Sequence, residues 1–319
     1  MPHSSCNCRC VMCDIWKANK NKQEISYETL LGHVAKFKNL NVREVVFSGG
    51  EALMHSNLWK LCELLKNNRI KITLLSTGLL LKKNAGNIID NIDQVIVSLD
   101  GSEEVHDRIR KIPRAFAQLS EGIHELRKLR PDFPISGRCV LQRYNFSDFI
   151  NIVKAAKNIG LDRISFLAAD VSSNAFNRPQ QWDDGRVHEI VLSEAETLEF
   201  ESIVQSSFIE LNQEYQTKFV AESPSKMNRI VQYYKAVNHM DSYPAVECNA
   251  PWISAVIESD GNVMPCYFHK PYGNIYQNDF SEVINSRAAI EFRKNLNTQR
   301  DDICKKCVCS LKLGITQML

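Results

Sequence analysis

The sequence predicts an α/β protein with a parallel sheet and crossover helices, followed by a small α+β unit. Three observations carry this reading. Between residue 26 and about residue 170, short runs rich in Val and Ile alternate with longer stretches of three-to-four-residue apolar periodicity. From Cys248 onward the pattern changes to a hairpin and then a helix. Eleven cysteines are placed unevenly, with four at residues 6–13 and three at 304–309.

The expected strands are Glu44–Ser48, Ile70–Leu75, Gln94–Leu99, Ile135–Leu141 and Arg163–Leu167, each short and apolar. The expected helices are Tyr27–Lys38, Asn57–Lys66, Lys83–Asn91, Ala115–Leu129 and Ser147–Asn158, the last stopped by Gly160. These make five strand–helix units, and one more strand at the N-terminus would make six. Only five residues precede Cys6, and Met-Pro-His-Ser-Ser is a poor strand. The first strand is therefore expected to be truncated, or the natural chain to start upstream. Residues 171–192 lack periodicity and are long for a passive connector, so they read as a substrate-facing loop or a surface excursion. Ser193-Glu194-Ala195-Glu196 is a capping box opening a helix to about Gln213. Residues 214–247 read as a polar connection with a helical pattern at Met227–Val237. Ile253–Glu258, a turn at Asp260-Gly261-Asn262 and Val263–Cys266 form a β-hairpin pattern, followed by a helix over Ser286–Leu296. The expected units are residues 1–213, a connection at 214–247, and residues 248–319.

The chain has 319 residues, 44% of them hydrophobic and 24% charged, with a formal net charge of +2. No basic block argues for nucleic acid, and Lys17–Lys22 is a short solvated face. There is no apolar run of membrane-spanning length and no signal-peptide pattern, so the expected compartment is the cytoplasm, with no membrane partner. An odd number of cysteines in a reducing compartment points to metal or catalysis rather than to disulfides.

Cys6, Cys10 and Cys13 have the spacing C-x3-C-x2-C. Three thiolates on one loop can hold a four-iron cluster with one iron left open. Zinc is the alternative, with Cys8 or His3 as fourth ligand. Cys248, Cys266, Cys304 and Cys307 form a second set, two from the hairpin and two from a C-x2-C loop, suited to zinc or to a four-iron cluster. Cys309 is a spare that can replace Cys307. Cys62 lies on the apolar face of a helix and reads as core. Cys139, beside Arg138 on a strand, reads as packed, with a barrel-facing hydrogen-atom donor as the alternative.

The C-x3-C-x2-C run followed by Asp14-Ile15-Trp16, together with Ser48-Gly49-Gly50-Glu51 directly after a strand, resembles the radical S-adenosylmethionine (SAM) enzymes. The resemblance covers most of residues 6–170 and implies a partial (β/α)6 TIM-like barrel. It implies a [4Fe–4S] cluster on Cys6, Cys10 and Cys13, SAM at the open iron, and no ligand role for Cys8. Gly49 and Gly50 would let backbone approach the ligand, and Glu51 would take the SAM ammonium. Met12 would lie near the adenine. Ser76, Thr77, Ser98 and Asp100 match contacts to SAM at strand ends. Arg138 would meet the SAM carboxylate or ribose, and Leu167 would offer its backbone to the adenine. The C-terminal cysteines resemble the twitch region, a shortened SPASM domain with one auxiliary [4Fe–4S] cluster, which decides there for iron over zinc.

The family resemblance implies one-electron cleavage of SAM, with an electron donor such as flavodoxin or ferredoxin. The resulting 5′-deoxyadenosyl radical would abstract a hydrogen atom. The size and the single-cluster C-terminus resemble members acting on sugars and aminocyclitols, and the N-terminus leaves no space for a fused peptide-binding domain. The expected substrate is thus a hydroxylated small molecule undergoing oxidation, dehydration or epimerisation, with Asp100 or Asp170 as base. The alternative is a peptide-modifying maturase of the ribosomal-peptide type. A non-catalytic zinc-binding protein is the remote third reading.

Overall fold

The computed structural model describes residues 1–178 and 180–314. Five strands, β1 (Glu44–Phe47), β2 (Lys71–Ser76), β3 (Gln94–Ser98), β4 (Ile135–Leu141) and β5 (Arg163–Ala168), form one parallel sheet in sequence order. Helices α1 (Tyr27–Asn39), α2 (Leu58–Asn67), α3 (Leu81–Asn91), α4 (Glu103–Arg110), α5 (Ala115–Leu129) and α6 (Phe149–Asn158) lie between or before the strands. Parallel neighbours need such crossovers, which is why alternation in the sequence specified the architecture.

Burial alternates along the strands and gives the sheet two unlike faces. In β4, Ile135, Gly137, Cys139 and Leu141 are buried, while Ser136, Arg138 and Val140 are half-exposed. The register places Ser98 beside Arg138, Arg138 beside Ser165, and Val140 beside Leu167. The first face joins Ile72, Leu74, Val95, Val97 and Phe166 in the hydrophobic core. The second face, with Leu75, Ile96, Ser98, Arg138, Val140 and Leu167, is only partly covered. Cys139 belongs to the core face and is fully buried, so the barrel-facing alternative for this thiol does not hold. Cys62 is likewise core.

The expected sixth strand is reduced to single bridges from His3 to Gly49 and to Glu24. Gly50 shows why the N-terminal segment sits so close. A Cβ at this position would lie 2.1 Å from the Ser5 carbonyl oxygen and 2.9 Å from Cys6 Cβ. Gly49 has φ +128°, a conformation suited to glycine. The two glycines thus admit the cysteine-bearing segment, whereas the sequence reading placed a ligand against them.

Beyond β5 come α7 (Asp184–Ile190), α8 (Glu194–Glu210), α9 (Asn212–Gln216) and α10 (Pro224–Val237). The capping box of α8 is present in full, and Ser223 caps α10 in the same manner from the N-cap side. Residues 219–221 run along the outer edge of β5 through hydrogen bonds from Ile164 N to Phe219 O (2.7 Å) and Ala221 N to Ile164 O (2.9 Å). Tyr234 on α10 accepts from Ala169 N at 2.9 Å and donates to the Leu141 carbonyl, joining the ends of β4 and β5.

Several helices carry no clear sequence signal, α4 and α7 among them. In α4 (EEVHDRIR) few apolar positions reveal the period, but acids in its first turn and arginines in its last favour the helix through its dipole. In α7 the Asp183 side chain accepts from Arg186 N. The C-terminal region contains α11 (Ala250–Ile253), β6 (Val256–Ile257), β7 (Asn262–Met264), β8 (Gly273–Asn274), α12 (Phe280–Ile284), α13 (Arg287–Asn295) and α14 (Asp302–Lys305). Here β6, β7 and β8 form an antiparallel sheet, so the expected hairpin gains a third strand too short to give a sequence signal. Among the described residues no helix is long and apolar enough to cross a membrane.

Replacing Tyr234 by Phe leaves a buried N–H and a buried carbonyl without their phenol partner. The expected cost is about 1–3 kcal/mol in chemical denaturation. An unchanged midpoint would show that Tyr234 does not tie the strand ends together.

Candidate iron–sulfur and SAM site

The Cys6–Cys13 loop has no regular structure of its own and is pinned from both sides. Arg9 N donates to Arg110 O (3.1 Å) and Val11 N to Ile109 O (3.0 Å), both at the end of α4. Glu51 N donates to Ser5 O (2.9 Å), and Asn19 exchanges two hydrogen bonds of 2.9 Å with the Cys6 backbone. The thiols of Cys6, Cys10 and Cys13 are free. Arg110 Nη1 donates to Cys10 Sγ at 3.3 Å, and Cys8 N donates to Cys6 Sγ at 3.4 Å. Without metal, burial pushes the Cys13 thiol up to about 12. The Cys8 side chain and burial raise Cys10. A bound metal reverses that balance by stabilising thiolates.

Among the described residues, His269, Asp301 and Cys304 bring their ligand atoms within 4.8 Å of one another. The first loop offers only thiols, the soft donors that iron–sulfur clusters and zinc both take.

Glu51 is fully buried. It accepts from Thr77 N (2.7 Å), Thr77 Oγ1 (2.6 Å), Ser76 Oγ (3.0 Å) and Leu53 N (3.1 Å). All four donors are neutral, and burial raises its pKa. A buried carboxylate among neutral donors is a site for a cationic ligand. Ser76 and Thr77, expected to touch SAM, here orient Glu51. Thr77 Oγ1 also lies 3.0 Å from Asn7 Oδ1, and Asn7 Nδ2 is buried without a partner.

The remaining candidates fall on the open face or beside it. Ser98 and Arg138 are register neighbours, and Arg138 Nε is buried without a hydrogen-bond partner. Leu167 pairs with Val140, and Met12 is half-buried against the core. The two expected bases are both engaged. Asp100 is fully buried and paired with Arg110 at 2.6 Å, and it accepts from Val140 N at 3.0 Å. Asp170 pairs with Arg178 at 2.7 Å and accepts from Ser173 Oγ at 2.6 Å. The oxygens of both carboxylates are already taken by a buried arginine and by further hydrogen bonds. The geometry therefore favours positioning roles for Asp100 and Asp170 over the expected role of base.

The second cysteine set converges from three places in sequence. Burial first, and then the charge of neighbouring thiols with Cys248 among them, raises Cys266, Cys304, Cys307 and Cys309. Burial and this mutual charge push Cys307 up to about 12. Cys309 sits with the group, giving five thiols for four positions. His269 Nε2 lies 3.3 Å from Cys304 Sγ and 3.7 Å from Asp301. Tyr267, next to Cys266, reaches Ser48 at the head of the Gly49-Gly50 turn.

Residues 180–192 fold back on the first cysteine loop. Trp182 Nε1 donates to Asp14 Oδ2 at 2.9 Å, and Arg186 donates to the Val11 carbonyl. Arg178 stacks over Trp182 at 3.7 Å. A cavity of about 100 Å³ lies between this segment and the second set, lined by Asp170, Ser173, Gln181, Phe268, Lys306 and Cys307. Arg110, Asn7, Trp182 and His269 gave no spacing signal in the sequence. Asn7 lies inside the C-x3-C-x2-C run and His269 three residues after Cys266, but nothing in either spacing marks them.

Residues 2–156 match the model of the radical SAM superfamily, and residues 248–308 match that of the SPASM iron–sulfur cluster-binding domain. The antilisterial bacteriocin subtilosin biosynthesis protein AlbA of Bacillus subtilis is 24% identical over 290 residues, 88% of this chain and 57% of that protein. An AdoMet-dependent heme synthase of Oleidesulfovibrio alaskensis is 28% identical over 163 residues, 49% of this chain and 41% of that protein. The chain thus spans about half the length of these two relatives. The Fe-coproporphyrin III synthase of Methanosarcina barkeri is 22% identical over 326 residues, covering 95% and 78%. Native anSMEcpe with bound AdoMet and Cp18Cys peptide shares the fold at a TM-score of 0.67 and 20% identity, covering 95% of this chain and 85% of that one. Streptococcus suis SuiB bound to precursor peptide SuiA does so at 0.63 and 14%, covering 97% and 70%. The two matched domains imply SAM and two [4Fe–4S] clusters as cofactors, and the free thiols and the buried Glu51 are suited to them. Two matched domains and a shared fold place the chain in the radical SAM superfamily, as a radical SAM enzyme with a C-terminal SPASM-type domain.

Proposed function

We propose that this enzyme modifies a peptide substrate, the alternative reading of the sequence. The likeness to AlbA carries this reading. It extends over 88% of the chain, far beyond the first domain, whereas the heme synthase match covers 49%. The partly covered sheet face adds support. It combines apolar Leu75, Ile96, Val140 and Leu167 with polar Ser98 and Arg138, a mixture suited to an apolar side chain beside a polar peptide backbone. The likeness to Fe-coproporphyrin III synthase over 95% of the chain favours a second reading, a small-molecule substrate. The sugar-type version of that reading is weakened by the engagement of Asp100 and Asp170 in ion pairs.

In this proposal Cys6, Cys10 and Cys13 hold the cluster with the open iron, and Glu51 takes the SAM ammonium. Arg138 and Ser98 face the rest of the ligand. When bound, the cluster and SAM supply one-electron cleavage of SAM and hydrogen-atom abstraction. Cys248, Cys266, Cys304 and Cys307, with Cys309 as reserve, hold the second cluster. Four thiolates leave no vacant position there, which suits electron transfer rather than substrate binding. The strand ends keep water from the reacting carbon and fix its position.

Two measurements test this. The first incubates the reconstituted enzyme, a reductant and SAM with peptides encoded beside its gene, in deuterated water, and with a panel of aminocyclitols. A peptide-dependent rise in 5′-deoxyadenosine with a mass change on the peptide is expected. Stimulation by aminocyclitols alone would overturn the reading. The second compares SAM binding to Glu51→Gln and to the parent enzyme by calorimetry. Losing a charge-assisted contact is expected to weaken SAM roughly 10- to 100-fold. Unaltered affinity would remove Glu51 from the SAM site.

A further inference from the structure

Arg110 places a fixed positive charge against the first cysteine loop. Its guanidinium is almost fully enclosed, with 7% side-chain exposure against 0% for its partner Asp100. Nη1 donates to Cys10 Sγ at 3.3 Å, and Nη2 meets Asp100 Oδ2 at 2.6 Å. Asp100 is itself held, with Oδ1 accepting from Val140 N at 3.0 Å and its carbonyl accepting from Asn145 Nδ2 at 2.8 Å. The pair is therefore an oriented dipole. Its positive end touches a thiol of the loop and its negative end is anchored to the sheet. Burial works against the charge of the guanidinium, and Asp100 first, then Cys10, Cys8 and Cys6, outweigh it.

We propose that the Arg110–Asp100 pair sets the reduction potential of the cluster held by Cys6, Cys10 and Cys13. The inference rests on the ligand reading given above. An electron entering an iron–sulfur cluster adds negative charge next to the thiolates, and no bond to Arg110 forms or breaks. A cation hydrogen-bonded to one thiolate stabilises the reduced form more than the oxidised form. Arg110 therefore raises the potential and makes the cluster easier to reduce, while Asp100 opposes it in part. Both residues are positioning and tuning residues.

The test is a redox titration of the reconstituted enzyme, followed by electron paramagnetic resonance on the signal that changes when SAM is added. In Arg110→Gln, the ratio of reduced to oxidised cluster at a fixed potential is expected to fall about tenfold. For one electron this corresponds to a midpoint about 59 mV lower. In Asp100→Asn, which keeps the guanidinium, the midpoint is expected to rise. The signal of the second cluster should stay in place in both. Loss of a purely structural pin would move both variants in the same direction, so same-direction shifts, or no shift, overturn the proposal. If Arg110→Gln takes up no iron, Asp100→Asn alone decides by the sign of its shift. Absence of any SAM-responsive signal in the parent enzyme overturns the ligand reading and this inference with it.

Discussion

The close approach of residues 3–13 to the sheet is the constraint on which the site depends. This segment has no strand or helix of its own to fix its thiols. It is clamped between the Gly49-Gly50 turn, where Ser5 O accepts from Glu51 N, and the end of α4, whose last carbonyls accept from Arg9 and Val11. The same two anchors bring the chemistry with them. One carries Glu51, and the other carries Arg110. Locating the thiols and locating the groups that act near them are thus one packing problem. The distance of 2.1 Å between a hypothetical Cβ on Gly50 and Ser5 O measures how little freedom that packing leaves.

The buried charges divide by whether a cation answers them. Asp100 and Asp170 are each paired with a buried arginine and are complete without a ligand. Glu51 has only neutral donors. Burying a carboxylate without a counter-charge is costly, so such a group persists where a ligand supplies the charge. Arg138 is the converse case, a cation whose Nε has no partner. A zwitterionic ligand such as SAM offers complementary charges to both.

Much of this was legible in the sequence because it is local. The strand and helix periods of residues 27–168 fixed the sheet to within a residue or two at most ends, and the cysteine spacings marked both thiol groups. What escaped depends on contacts between distant segments. Arg110 meets Cys10 across 100 positions and Trp182 meets Asp14 across 168. No local pattern encodes such pairings. In sequence, Asp100 and Asp170 are carboxylates at strand ends that suit a base, and the arginine beside each is invisible there. Adjacent glycines in the Ser48-Gly49-Gly50-Glu51 turn signal a close approach without saying of what, and the nearest atoms belong to the chain's own N-terminal segment. The irregular stretch after β5 proved to clasp the first cysteine loop, a role that composition cannot reveal.

The central claim is that two separate groups of thiols each hold a four-iron cluster. Iron and acid-labile sulfide per chain, after anaerobic purification and reconstitution, test it most directly. The account predicts about eight of each, falling to about four when Cys248 and Cys304 are both replaced by Ala. Zinc in place of iron, or an iron content unmoved by those replacements, would contradict it.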